Sequence, residues 1–107
     1  MSAVQDAGDP AGQAASALAP APSLYKVCFF LTADARTGML PRILAPIAKL
    51  GAVPERVHAS TEDGDGQEMS VDLRVANLSE REAFLLDKTL RVIVGVRSLL
   101  VIRDEMD

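Results

Sequence analysis

The residue types best suited to chemistry gather in one stretch, Asp34 to Leu44, which reads D-A-R-T-G-M-L-P-R-I-L and joins an apolar strand-like run to an apolar helical run. Gly38 falls where the chain must turn, and Leu40, Ile43, Leu44 and Ile47 follow at helical spacing. A glycine there lets backbone N–H groups at a helix start approach a small ligand, because no Cβ stands in the way. Arg36 adds a guanidinium that can grip a carboxylate through two parallel hydrogen bonds. Asp34, Arg36, Thr37, Gly38, Met39 and Leu40 are therefore the candidate ligand-binding residues. The blander reading is a plain turn in which Gly38 serves backbone geometry and Arg36 is solvated.

Other reactive side chains carry weaker signals. His58 is the sole histidine, and no cysteine or second histidine accompanies it to complete a metal site. Its place on the polar face of an edge strand favours a solvent-facing or interfacial role over a catalytic one. Cys28, the sole cysteine, reads as a small apolar packing residue with nothing near it in sequence to lower its pKa. Glu62, Asp63 and Asp65 lack the spaced oxygen ligands and closing Glu of a calcium loop, so a solvated hairpin is preferred. No catalytic set emerges, and neither a metal nor a cofactor is expected.

Size and composition narrow the class. A chain of 107 residues holds one domain. Its first 22 residues contain eight Ala and three Pro, with Asp6 and Asp9 as their only charges. That composition predicts a disordered Ala/Pro-rich tail over 1–22, with no basic start or continuous apolar core to suggest a signal peptide. The folded domain then spans 23–105, with no run near the ~18 apolar residues of a membrane span. A formal net charge of −4 gives no basic footprint for nucleic acid or anionic lipid. A single cysteine permits no internal disulfide, which fits a reducing, cytoplasmic setting. With no Trp and 4% aromatic residues, the core must be aliphatic.

The elements that must position these residues follow from periodicity. Leu24 to Thr32 is rich in β-formers, with Tyr25, Val27, Phe29 and Leu31 on one face and Leu24, Cys28 and Phe30 on the other. Apolarity on both sides predicts a central strand. A helix follows from Gly38 to Leu50, closed by Gly51 and capped by Thr37 or Asp34, with Pro41 tolerable in its first turn. Pro46 predicts a kink or a late start to the regular helix. Val53 to Thr61 reads as a second strand, confined to an edge or delayed by Pro54, and Glu62 to Gly66 as a hairpin turn. Met69, Val71, Leu73 and Val75 alternate with Glu68, Ser70, Asp72 and Arg74, which predicts a third strand with one buried face. Ser79 and Glu82 form a capping box for a second helix striped by Ala83, Leu86 and Leu90. Gly95 breaks the run, and Val96 to Arg103 is the last strand. The order β-α-β-β-α-β, with right-handed crossovers, predicts an α+β, ferredoxin-like fold: a four-stranded antiparallel sheet with two helices on one face. In that fold the second strand is an edge, so Arg56, Val57, His58, Ala59 and Ser60 are the candidate homodimer interface, Val57 and Ala59 continuing the buried layer under the helices. The last strand is the rival edge, with Leu99 and Val101 on its otherwise exposed face.

Residues 24 to 103 resemble the ACT domain of acetolactate synthase small (regulatory) subunits. Thr37-Gly38-Met39-Leu40 stands where that family has a turn ending in Gly, then a small apolar residue and Leu. Arg42 sits at an often basic position, and Leu50-Gly51-Ala52-Val53 matches the helix end. Leu90 to Val96 resembles the family's apolar run, without its Lys. The resemblance implies a non-enzymatic regulatory protein that binds and activates a catalytic subunit in branched-chain amino acid biosynthesis, and a homodimer paired side by side through the second strand. The alternative it allows is a stand-alone module sensing a small amino acid. The two positions where valine-binding members resemble one another in Asn hold Ala35 and Val53, which can neither accept from an ammonium nor donate to a carboxylate. Valine is therefore expected to bind weakly or not at all.

Three rivals of the same fold fit less well. An RNA-binding sheet needs aromatics on the open face of its central strands, where the third strand offers Glu68, Ser70, Asp72 and Arg74. An acylphosphatase-like enzyme needs a glycine-rich phosphate cradle, and a metal chaperone needs Cys-x-x-Cys; neither pattern is present. Because the Ala/Pro composition of the tail offers no surface to bury, removing residues 1–20 should leave the melting temperature nearly unchanged in a calorimetric scan. A drop of more than a few degrees would mean that the tail packs on the domain.

Overall fold

A computed structural model describes residues 23–61 and 66–106. The expected tail over 1–22 and most of the acidic hairpin turn, residues 62–65, lie outside the described residues. Six elements follow in the expected order: β1 (Leu24–Asp34), α1 (Met39–Lys49), β2 (Arg56–Thr61), β3 (Glu68–Ser79), α2 (Glu80–Arg91) and β4 (Val96–Met106). The sheet runs β2-β3-β1-β4 and is antiparallel throughout. This is the ferredoxin-like arrangement, with β1 central and β2 and β4 at the edges.

The core forms where the sheet's odd-numbered β1 residues meet the two helices. Val27, Phe29, Leu31 and Ala33 are buried with Val71, Leu73, Val75 and Leu78 of β3. The helices close over them with Met39, Ile43 and Ile47 from α1 and Ala83, Leu86 and Leu90 from α2, each set spaced to share one helical face. Phe29 is the only aromatic residue in this set. Removing a buried ring of this kind costs about 3–5 kcal/mol in comparable cores.

The helix ends show how local chemistry sets the boundaries. At α2 the Ser79 hydroxyl accepts from Glu82 N–H at 3.1 Å, while the Glu82 carboxylate accepts from Ser79 N–H at 2.9 Å, completing the expected capping box. Helix α1 ends in paired bonds from Gly51 N–H to Ala48 O and from Ala52 N–H to Ile47 O, the Schellman pattern. Its start differs from expectation. Gly38 itself is the N-cap, with no side-chain cap, because Asp34 is engaged elsewhere and Thr37 makes no capping bond. The helix is regular from Met39, so Pro46 does not delay it. Pro54 does delay β2, which begins at Arg56 rather than Val53.

Two bulges reset the alternation. Tyr25 pairs with Leu78 and Val27 with Val75, which leaves one extra residue in β3. Asn77 takes up the turn at φ 62, a conformation asparagine tolerates better than most, and Leu78 rather than Asn77 then points inward. In β4 the extra residue is Arg97, between Thr32–Ser98 and Ala33–Val96.

Two expectations about the edges need correction. Every residue of β2 is exposed, and Val57 is 42% accessible. Val57 and Ala59 do share the helix-side face of their partners Leu73 and Val71. They lie one strand beyond the helical cover, however, so they do not continue the buried layer. In β4, Leu99 sits opposite Leu31 and Val101 opposite Phe29, so both turn toward the helices and are half-buried. Leu100 and Ile102, at 59% and 47% accessible, occupy the open face instead. Parity along the strand does not reveal which face is covered; the register with β1 does.

Gly95 joins α2 to β4 at φ 101, and a Cβ there would overlap the buried Met39 methyl group. Gly38, also at positive φ, faces open space. Gly95→Ala should therefore cost about 3 kcal/mol in urea unfolding, combining backbone strain with overpacking, whereas Gly38→Ala should cost about 1–2 kcal/mol from strain alone. Equal losses would show that the Met39 contact does not matter.

Candidate functional site

The end of β1 is pinned by its neighbours before it turns into α1. Asp34 N–H donates to Gly95 O at 2.8 Å and Ala35 N–H to Gln67 O at 2.9 Å, so the strand ends of β4 and β3 both hold it. Arg36 N–H then folds back onto Asp34 O, and Met39 N–H onto Arg36 O. The loop between them is short, tight and surface-facing: Arg36, Thr37 and Gly38 are exposed.

Its side chains build a four-charge cluster. The Asp34 carboxylate accepts from Arg97 Nε at 2.8 Å with one oxygen and from Arg36 Nη2 at 3.1 Å with the other. Arg97 also donates from Nη1 to Glu68 Oε1 at 3.0 Å and from Nη2 to Gln67 O at 3.3 Å. The hydrogen bond to Asp34 is the largest cause of a raised Arg97 pKa, so this guanidinium stays charged at any working pH. Arg97 thus ties β1, β3 and β4 together at one corner. Arg36 is different: it has one partner atom and a side chain 60% accessible, which leaves most of its five donors for solvent or a ligand.

The six expected ligand residues divide accordingly. Asp34 and Arg36 share a shallow cavity of about 330 Å³ with Ala35, Gly66, Gln67 and Arg97. Thr37, Gly38 and Leu40 lie at the helix entrance, where no backbone carbonyl among the described residues accepts from their N–H groups. Met39 offers little, since its side chain is 1% exposed in the core and its N–H is already used. Sequence reasoning missed Arg97 and Gln67. Neither lies near Asp34 in the chain, and the bulge that aims Arg97 at Asp34 leaves no pattern in composition or spacing.

Arg56, Val57, His58, Ala59 and Ser60 form a free edge, with Arg56, His58 and Ser60 on the open sheet face opposite Arg74, Asp72 and Ser70. Cys28 is partly buried on the same open face, beside Phe30 and Arg74. Among the described residues no three His, Cys, Asp or Glu side chains gather as a metal site. No helix among them is long and apolar enough to cross a membrane.

Neither a family model nor a curated protein matches the chain. Solved structures do match in shape. The crystal structure of the ACT domain from GTP pyrophosphokinase of Chlorobium tepidum aligns at a TM-score of 0.62 with 15% identity, covering 74% of this chain and 99% of that one. The fold is that of an ACT domain. A solution structure of the same Chlorobium tepidum domain gives a TM-score of 0.57 at 14% identity, over 72% of this chain and 84% of that one. The C-terminal domain of the MgtC protein from Mycobacterium tuberculosis aligns at 0.59 and 11% identity, over 81% and 95%. At such identities the likeness reaches the ACT-type fold and no further.

Within this ACT-type fold the two arginines should separate in experiment. Arg97→Ala removes contacts to the ends of β1 and β3 and should lower the melting temperature clearly, while Arg36→Ala, already solvated, should leave it within about a degree. A larger loss from Arg36→Ala would make that residue a structural brace and remove it from the candidate site.

Proposed function

We propose that this ACT-type domain is a non-catalytic regulatory module, acting as a small-subunit-like activator of an acetolactate synthase catalytic subunit. The observation that carries the reading is the open β1–α1 loop. Arg36 is held at one nitrogen by Asp34, beside the unclaimed N–H groups of Thr37, Gly38 and Leu40. That combination suits a small carboxylate-bearing ligand or a carboxylate side chain of a partner enzyme. The resemblance of residues 24 to 103 to acetolactate synthase small subunits supports the choice of partner. The exposed β2 edge, from Arg56 to Ser60, is one of two sheet edges open to a partner.

The second reading is a stand-alone sensor of a small amino acid. It is favoured by the cavity that Asp34 and Arg36 share with Gln67 and Arg97, which brings both charge signs within reach of a zwitterion. Valine is a poor candidate in either case, because Ala35 and Val53 supply no amide.

Co-purification from the source cells should recover a large thiamine-diphosphate enzyme with the tagged full chain, and its activity should rise when the chain is added. Arg36→Ala should weaken that activation. Failure to bind such an enzyme, together with a thermal upshift from one amino acid, would replace the first reading by the second. Saturable valine binding by calorimetry at micromolar concentration would overturn the inference from Ala35 and Val53.

A further inference from the structure

The groove between α2 and β4, at the sheet edge away from β2, holds apolar surface that the regulatory reading leaves unused. It encloses about 700 Å³, floored by Ala83, Phe84 and Val101. Phe84 is 56% accessible, large for an aromatic side chain, and stands between the charged pairs Glu80–Arg81 and Asp87–Lys88. Beside it runs β4, eleven residues without Pro or Gly, paired only with β1 among the described residues. Its centre, Ser98 to Ile102, carries no charge. An edge strand with an uncharged centre beyond the Arg97 bulge can accept another strand.

The pattern of residues says which one. Two copies of β4 pairing antiparallel about Val101 would set Leu100 against Ile102 twice on the open face and Val101 against Val101 on the helix side. Pairing about Leu100 instead would set Ser98 against Ile102 and Arg97 against Arg103, which opposes like charges. Of these two registers, the one about Val101 avoids that conflict. Helix α2 is self-complementary about the same point. Phe84 lies across the groove from Val101, and an antiparallel pairing of two α2 helices about Phe84 sets position 81 against 87 and 80 against 88. Those positions hold Arg81 and Asp87, and Glu80 and Lys88, so all four contacts join opposite charges. They lie on the stripe 80/81–84–87/88 that faces outward, away from buried Ala83, Leu86 and Leu90. Arg81 has no ion-pair partner among the described residues, and Lys88 stands over the Phe84 ring at 5.2 Å, already turned toward this surface.

We infer that the α2–β4 edge is a two-fold homodimer interface, in which two copies continue the sheet through β4 and close Phe84 and Val101 of each against the other. It replaces the β2 edge as the site of self-association and leaves Arg56 to Ser60 open. The shorter β2, six residues entered through Pro54, offers less ladder and no overlying helix.

Sedimentation of the full chain at tens of micromolar should show a dimer. Arg81→Glu sets a carboxylate against Asp87 of the second copy at two symmetric points, so the dimer dissociation constant should rise about tenfold or more. Adding Asp87→Arg to that variant restores opposite signs and should recover most of the affinity. Arg81 is exposed, whereas Asp87 is half-buried and paired with Arg91 at 2.7 Å, so the folding of each variant is checked by circular dichroism and Asp87→Arg alone serves as the control for loss of that pair. Val57→Lys, which blocks the β2 edge, should leave the dimer intact. A monomeric unmutated chain, an Arg81→Glu variant that dimerises normally, a loss that Asp87→Arg does not reverse, or dissociation by Val57→Lys would each overturn the assignment. These outcomes concern self-association alone and are independent of whether a catalytic subunit binds.

Discussion

Most of this structure depends on β1 having a strand on each side and two helices over one face. Val27, Phe29, Leu31 and Ala33 are all at 0–2% accessibility because β3 and β4 wall them in laterally while α1 and α2 cover them. Only β3 shares that position, between β2 and β1, and its Val71, Leu73 and Val75 are buried in the same way. The two helices each carry the chain across one strand, α1 from β1 past β3 to β2 and α2 from β3 past β1 to β4. Burying these aliphatic side chains supplies the main driving force, in a domain with no disulfide to assist.

The candidate site is a by-product of the same geometry at the end of β1. Where the strand leaves the sheet, its last N–H groups are taken by Gly95 and Gln67, so the loop that follows has little freedom. Met39 plugs the core directly beneath Gly95, which couples the start of α1 to the start of β4. Asp34 is then held between Arg97, a brace, and Arg36, which keeps its remaining donors outward. The single exposed pair made by Arg36 adds little stability. Its consequence is positional: it orients a guanidinium beside a helix entrance.

The two edges differ in what they leave uncovered. Beyond β3 the helical layer stops, so β2 is exposed on both faces, with Val57 and Ala59 uncovered on the helix side. Beyond β1 the layer reaches α2, so β4 and the helix together make a walled groove with an apolar floor. The asymmetry arises because α2 enters directly from β3 through the Ser79 cap and leaves directly into β4, which seats it above that side of the sheet.

Element order, the central place of β1, the alternation of β3, the Ser79 capping box and the inward stripe of α2 were legible in the chain, because each depends on residues within a few positions of one another. Leu24 to Thr32 is largely apolar on both alternating sets whatever surrounds it, and a Ser-x-x-Glu pattern caps a helix locally. The extra residues at Asn77 and Arg97, the facing of Leu99 and Val101, the exposure of Val57 and Ala59, and the meeting of Asp34 with Arg97 were not. Each is set by register between strands distant in sequence, where a shift of one residue exchanges the covered face for the open one. Arg97 reaches Asp34 across 63 positions only because a bulge turns it outward beside the end of β1. Local patterning determined what the elements are and which of their faces are apolar; tertiary pairing decided which apolar faces would be covered, and which charges would meet.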